Sequence, residues 1–213
     1  MKLYTFYKSS AAYRVRIAMN LKGLDYEALP INIVEDGGQQ HEKSFHEVNP
    51  QELIPALIDE GESYTQSLAI IEYVDELNPE IPLMPESPRD RALVKAMALT
   101  IACDIHPLNN LRVLNYLREE LGQNDDAVQK WYAHWITINF EGLEEQVNAH
   151  GGDYCFGNTI TIADIFLIPQ MANAKRSKID LTPFPKLCAI DKMLSEHPAF
   201  QAAAPEQQPD APE

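Results

Sequence analysis

Two hydroxyls and an arginine fall within six residues near the start of the chain, in Ser9-Ser10-Ala11-Ala12-Tyr13-Arg14. A helix beginning there would present amides without intrahelical partners, together with the positive end of its dipole. Such a place stabilises an anion, and it lowers the pKa of a thiol set beside it. The turn holds no cysteine, so any thiol must arrive with a ligand. The plain alternative is that Ser9 or Ser10 only caps the helix. A second pair, Gln66-Ser67, opens a later helical pattern, where an amide and a hydroxyl suit a carboxylate or, again, a cap. Ahead of it stands Ile54-Pro55, which sequence alone predicts to be trans, as most X-Pro bonds are.

Other side chains invite chemistry less directly. Arg112 and Arg176 suit carboxylate ligands and surface bases equally well. Arg14 and Arg16, two apart on one helix, face different ways, so at most one reaches a site and Arg16 is expected at the surface or an interface. Cys103 and His106 have C-x-x-H spacing, but one such pair without two further ligands is poor ground for zinc, and no metal is expected. Cys155 and Cys188 read as core thiols, and Trp131 with Trp135 as core packing.

The elements that would position these groups follow from patterning. Lys2–Tyr7 reads as a strand, and a helix runs through Ala11–Leu21 to the stop Lys22-Gly23. Tyr26–Ile33 is a second strand, Ile54–Ile58 and Glu62–Thr65 are two short ones, and Ser67–Leu77 is a helix with Leu68, Ile71 and Val74 on one face. Pro79, Pro82, Pro85 and Pro88 then mark a stiff connector. Beyond it the pattern is helical: Asp90–Ile105 and Asn109–Leu121, broken at His106-Pro107, then Asp125–Ala149, Thr161–Arg176, Phe184–Ser195 and His197–Ala203. Thr161 and Asp164 form a capping box, with Ile160 and Ile165 as its hydrophobic staple.

Composition narrows the class of protein. With 17 Lys+Arg against 32 Asp+Glu, the 213-residue chain carries a formal charge of −15. That balance argues against nucleic acid, whose phosphates select basic faces. No apolar run reaches the roughly 18 residues that span a bilayer, so no membrane partner is expected. Three widely spaced cysteines fit a reducing compartment, and the reading is a soluble, cytoplasmic protein. Residues 1–24 nevertheless hold five bases and no acid; on composition alone these read as a solvated helix face whose bases pair with acids elsewhere, and a cationic segment that draws anions is the alternative.

Taken together, these motifs resemble the zeta class of cytosolic glutathione transferases over the whole chain except its last few residues. The resemblance rests on Ser9-Ser10-Ala11-Ala12-Tyr13-Arg14-Val15-Arg16-Ile17-Ala18, on Asn49-Pro50 leading to Ile54-Pro55-Ala56-Leu57, and on Gln66-Ser67-Leu68-Ala69-Ile70-Ile71-Glu72-Tyr73. Asp104-Ile105-His106-Pro107-Leu108-Asn109-Asn110 and Ala174-Lys175-Arg176 before Asp180-Leu181-Thr182-Pro183 complete it. It implies an α/β N-terminal thioredoxin-like domain plus an all-α C-terminal helical domain. The expected division is 1–80, a Pro-rich linker 81–88, helices over 89–204, and a disordered acidic tail 205–213.

For the site, the resemblance implies glutathione as cofactor and a cis Pro55, so that the Ile54 backbone pairs with the glutathione cysteinyl backbone. Ser10 would hydrogen-bond the glutathione sulfur, with Ser9 and Arg14 in the same loop as further catalytic candidates. Gln40, Ile54, Gln66 and Ser67 would hold the tripeptide, and His106, Asn110 and Arg112 would line the opening between domains. Arg176 and Arg112, with Arg14, would grip substrate carboxylates. This chain has Ala11 where many relatives carry a cysteine, His106 where some carry Gln, and Lys8 where one carries Arg. The implied activity is cis–trans isomerisation of maleylacetoacetate, by a homodimer. Maleylpyruvate or small α-halo acids are the alternative substrates, and a non-catalytic adaptor is a third reading.

Overall fold

The structure, a computed structural model, describes residues 1–212. It divides into two compact units, Met1–Pro82 together with the C-terminal residues from Ser195, and Leu83–Leu194.

The first unit is built on a four-stranded mixed sheet in the order β2-β1-β3-β4. Strands β1 (Lys2–Thr5) and β2 (Glu27–Pro30) are parallel and joined by helix α1 (Ser10–Lys22), the crossover that parallel neighbours require. The short helix α2 (Lys43–His46) precedes β3 (Ala56–Asp59), which runs antiparallel to both β1 and β4 (Glu62–Thr65). Helix α3 (Ser67–Leu77) follows directly and turns Ile70, Ile71 and Val74 into the core, beside Leu3, Val15, Ile17 and Leu57. This is the thioredoxin-like arrangement.

Helix α1 shows how the local code works. Ser9 is its N-cap, accepting from the Ala12 amide at 3.2 Å. Gly23 ends it in the left-handed region at φ 63°, a conformation that costs glycine little, and its amide bonds the Asn20 carbonyl. The bases of this segment behave unlike the sequence expectation. Arg16 is not a surface residue; it is fully buried, its guanidinium spent on main-chain carbonyls and Thr5. Lys22 is buried against Asp75 at 2.7 Å and the Ile81 carbonyl at 2.6 Å. With Arg14 buried as well, three of the five bases in residues 1–24 are internal, so this segment does not present a five-charge surface to draw anions. Charged groups with long apolar stems are cheap to bury only where each donor is met, and here tertiary acceptors meet Arg16 and Lys22.

The second unit is all helical: α4 (Pro88–Leu99), α5 (Leu111–Glu119), α6 (Asp125–His150), α7 (Ile162–Arg176) and α8 (Pro185–Ser195), the last reaching the unit boundary. Between α4 and α5, Thr100–Ile105 forms a π-helical turn. Its core is α7, almost wholly buried and started by the expected capping box. Asp164 accepts from the Thr161 amide at 2.8 Å, the Thr161 hydroxyl at 3.0 Å and the Cys155 amide at 2.8 Å. Burial pushes the Asp164 carboxyl up and the Cys155 thiol well up. Cys155 is a core thiol as expected, Cys188 is half-buried, and Cys103 is exposed. Trp131 is half-buried, meeting Trp135 edge-on, and its Nε1 donates to the Leu108 carbonyl at 2.9 Å.

The division between the units falls after Pro82, inside the expected Pro-rich linker 81–88, where Leu83 and Met84 are buried and the Leu83 carbonyl accepts from the Ile162 amide at 3.0 Å. The C-terminal stretch does not lie apart as a disordered tail over the described residues. Helix α9 (Pro198–Ala203) and the 3₁₀ turn Pro205–Gln207 belong to the first unit, where Phe200 and Ala203 are buried. The tail composition reads as disordered, but the Arg16 and Asn20 side chains of α1 donate to the Ala203 and Ala199 carbonyls of α9, and Asp210 beyond it accepts from the Tyr7 amide; Glu213 lies outside the described residues.

Candidate active site

The first unit brings most of the expected cofactor residues onto connected pieces of backbone. Ser10, buried at 7% exposure, is the first residue of α1, and Ser9 caps it. The opening amides of a helix have no intrahelical acceptor, so a ligand anion at this start would meet donors from both backbone and hydroxyl. One turn on, Arg14 is buried and its Nη1 donates to Ser67 Oγ at 3.4 Å. That bond ties the start of α1 to the start of α3. Ser67 is itself the first residue of α3, and Gln66 before it sits at φ 69°. This left-handed backbone at a non-glycine residue is strained, and such strain clusters where a ligand is clamped.

The loop between β2 and β3 supplies the rest. The Ile54-Pro55 bond is cis, against the sequence expectation of trans and in line with the resemblance. Asn49 organises the approach to it: the buried Asn49 side chain donates to the Leu53 carbonyl at 2.7 Å and accepts from the Gln51 amide at 3.0 Å. Sequence reasoning quoted Asn49-Pro50 as a motif but gave Asn49 no role, although the side chain of Asn turning onto backbone two residues on is a local signal. Gln51 was also missed; its Oε1 lies 3.4 Å from Gln66 Nε2. Gln40 lies in the 3₁₀ turn Gln39–His41, and its Oε1 is buried with no hydrogen bond among the described residues.

These groups fit glutathione. An orphaned buried acceptor at Gln40 awaits a donor such as an amide or ammonium, and the two helix starts suit a thiolate and a carboxylate. The cis bond places Ile54 in a bend directly ahead of β3.

The remaining candidates lie in the second unit. Asn110 caps α5 through its Oδ1, which accepts from the Arg112 amide at 3.2 Å, so that oxygen is already committed. His106 directly follows the π-helical turn, its amide reaching back to the Ile101 carbonyl at 2.9 Å. Arg112 is exposed on the first turn of α5, and Arg176 is the exposed last residue of α7, its Nη2 turned onto Asn173 Oδ1. The positive end of Arg176 also acts on Tyr132, whose phenol burial pushes upward.

Comparison with known proteins agrees with this architecture. Residues 3–82 match the glutathione S-transferase N-terminal domain, and residues 111–203 match the glutathione S-transferase C-terminal domain. The chain belongs to the glutathione S-transferase family, in its zeta class. It is 51% identical over 209 residues to a Vibrio cholerae protein named "Probable maleylacetoacetate isomerase", covering 98% of this chain and 97% of that one. A solved structure of maleylpyruvate isomerase, described as a bacterial zeta-class glutathione S-transferase, superposes with a TM-score of 0.96 at 41% identity, all of both chains being covered. Maleylacetoacetate isomerase from Methylobacterium extorquens AM1, solved with malonate and glutathione bound, gives a TM-score of 0.95 at 36% identity, again over both whole chains.

Proposed function

We propose that the protein catalyses the glutathione-dependent cis–trans isomerisation of maleylacetoacetate to fumarylacetoacetate. One observation carries the reading: the hydrogen bond from Arg14 to Ser67 joins the two helix starts of the first unit, with Ser10 at one of them. A site for a thiolate and a site for a carboxylate are thereby tied within one rigid framework. The 51% identity to the V. cholerae relative supports the choice of substrate.

Glutathione is the cofactor, and when bound it supplies the thiolate nucleophile that makes rotation about a conjugated cis double bond possible. Ser10 donates its hydroxyl hydrogen to the sulfur, and the α1 amides favour the deprotonated form. Gln40, Ile54, Gln66 and Ser67 hold the tripeptide, while Ser9 fixes the helix start that carries Ser10. The substrate has a carboxylate at each end. Arg112 and Arg176 hold those carboxylates and offset the negative charge that grows on the conjugated carbonyl in the transition state. His106 and Asn110 are the second unit's further candidates for holding the ligand, Asn110 through its Nδ2.

Maleylpyruvate is the second reading, favoured by the TM-score of 0.96 to maleylpyruvate isomerase. It differs at one end of the substrate only, so the same residues serve it. The two are separated by measuring ultraviolet isomerisation rates on both substrates, with and without glutathione. Glutathione-dependent turnover with a higher kcat/KM for maleylacetoacetate is the expected result. A preference for maleylpyruvate would move the assignment, and no turnover of either would end it. The protein acts as a cytoplasmic homodimer in this reading. Support comes from the family, from large apolar side chains exposed at Leu77 and Ile81, and from the lack of any helix long and apolar enough to cross a membrane among the described residues.

A further inference from the structure

The turn that delivers Ser10 is gripped from two sides by groups outside the proposed chemistry. Arg16, one face of α1 away from Ser10, donates through Nη1 to Thr5 Oγ1 at 2.9 Å and the Phe6 carbonyl at 3.3 Å. Its Nη2 donates to the Tyr7 carbonyl at 3.3 Å, and its Nε to the Ala203 carbonyl at the end of α9 at 3.0 Å. Past α9 the chain doubles back, with Gln208 Nε2 donating to the Ala202 and Ala204 carbonyls at 3.0 and 2.9 Å. That reversal delivers Asp210, whose Oδ2 accepts from the Tyr7 amide at 2.9 Å, 203 residues away in sequence.

Three successive backbone groups ahead of Ser9 are therefore held: the Phe6 carbonyl and the Tyr7 carbonyl by Arg16, the Tyr7 amide by Asp210. The Phe6 carbonyl also accepts from the Ser9 amide at 3.0 Å, which connects the grip to the N-cap itself. The arrangement is costly. Arg16 is fully buried, and burial brings its guanidinium down to about 10 while the Asp210 charge opposes the shift. Asp210 Oδ1 is buried with no hydrogen bond among the described residues. A tail tied down only for stability would serve better with an apolar anchor, which leaves no buried oxygen unmet.

We infer that Asp210, acting with Arg16, is a positioning residue for the sulfur site: it fixes the Tyr7–Ser9 turn and thereby the place of the Ser10 hydroxyl and the α1 amides. This rests on the reading of Ser10 as the thiolate's partner. The C-terminal segment is in these terms a strap whose far end sets the geometry of the reacting atom's donors.

The test uses the full chain with Asp210→Ala and Asp210→Asn. Three quantities are read: hydrogen–deuterium exchange of the Tyr7 amide without glutathione, the dissociation constant for glutathione, and the pKa of the bound thiol by ultraviolet titration. Asp210→Ala should speed Tyr7 exchange about tenfold, weaken glutathione about fivefold and raise the bound thiol's pKa, in keeping with the loss of one partly buried hydrogen bond. Asp210→Asn keeps an oxygen acceptor and should restore slow exchange. Unchanged Tyr7 exchange in Asp210→Ala overturns the inference. So does faster exchange with glutathione affinity and thiol pKa both unmoved, since the hold would then be structural only. Wild-type protein that does not bind glutathione would instead sink the reading of the site itself, which separates the two failures.

Discussion

At the scale of single residues, Ser10 and Asp164 show two fates for a polar group near a helix start. Ser10 opens α1 at the proposed sulfur site; Asp164 sits in the first turn of α7 and is absorbed into the framework. Ser10→Ala should lower glutathione-dependent kcat/KM by about 10²–10³, the usual loss when one preorganised donor is removed. Steady-state kinetics at saturating glutathione would check this, and a loss under about threefold would remove Ser10 from the chemistry. Asp164 makes its prediction through pH. Burial holds its folded-state pKa above the ordinary 3.8, so the folded protein binds this proton more readily than the unfolded chain does. The linked stabilisation is complete below 3.8 and lost as pH rises through the higher folded value. Wild type should therefore gain stability relative to Asp164→Asn between about pH 7 and about pH 4, read from urea midpoints. A difference that stays constant, or moves the other way, would contradict the assignment.

At the scale of elements, α1 is legible from its own sequence because its signals are local. Gly23 ends it as residue type and spacing indicate, and Ser9, one of the two serines readable as its cap, starts it. Gly23→Ala should cost about 1–2 kcal/mol in urea unfolding, the strain of a Cβ in the left-handed region. The buried pair at the end of α1 was not legible, because nothing near Lys22 announces Asp75, 53 residues on. Asp75→Ala should destabilise by about 3–5 kcal/mol, since it leaves the ammonium buried without its countercharge. Calorimetry on that variant would decide, and a loss below about 1 kcal/mol would place the pair with ordinary surface bridges. The π-helical turn at Thr100–Ile105 also escaped sequence reading. The apolar pattern continues through it, and the break was expected later, at His106-Pro107. Periodicity reports which face is apolar; it does not report a single hydrogen bond that shifts from i−4 to i−5.

At the scale of the whole molecule, charge and chain ends were the hardest features to read. The acid-free segment 1–24 suggested a solvated basic face, yet Arg14, Arg16 and Lys22 turn inward. Whether a base lies on the surface depends on acceptors supplied from remote parts of the chain, which composition does not encode. The same holds for the proline-rich acidic end, whose order comes from the Arg16 and Asp210 bonds to the β1–α1 region. The two-part architecture was legible, because the switch from mixed patterning to helical patterning coincides with a run of prolines. Most of the expected cofactor residues also lie on the first unit as read, carried by short local motifs. A homodimer predicts sedimentation at twice the 24.1 kDa chain mass, and a species at 24.1 kDa would contradict it.

The central claim is that the start of α1, with Ser10, holds a glutathione sulfur in its charged form. The most direct measurement is ultraviolet titration of thiolate absorbance for glutathione bound to wild type and to Ser10→Ala. The account predicts a wild-type thiol that ionises at least about one pH unit below an ordinary thiol near 8.5, and a Ser10→Ala value moved back toward it. A wild-type value equal to that of the free thiol, or one that Ser10→Ala leaves in place, would contradict the account.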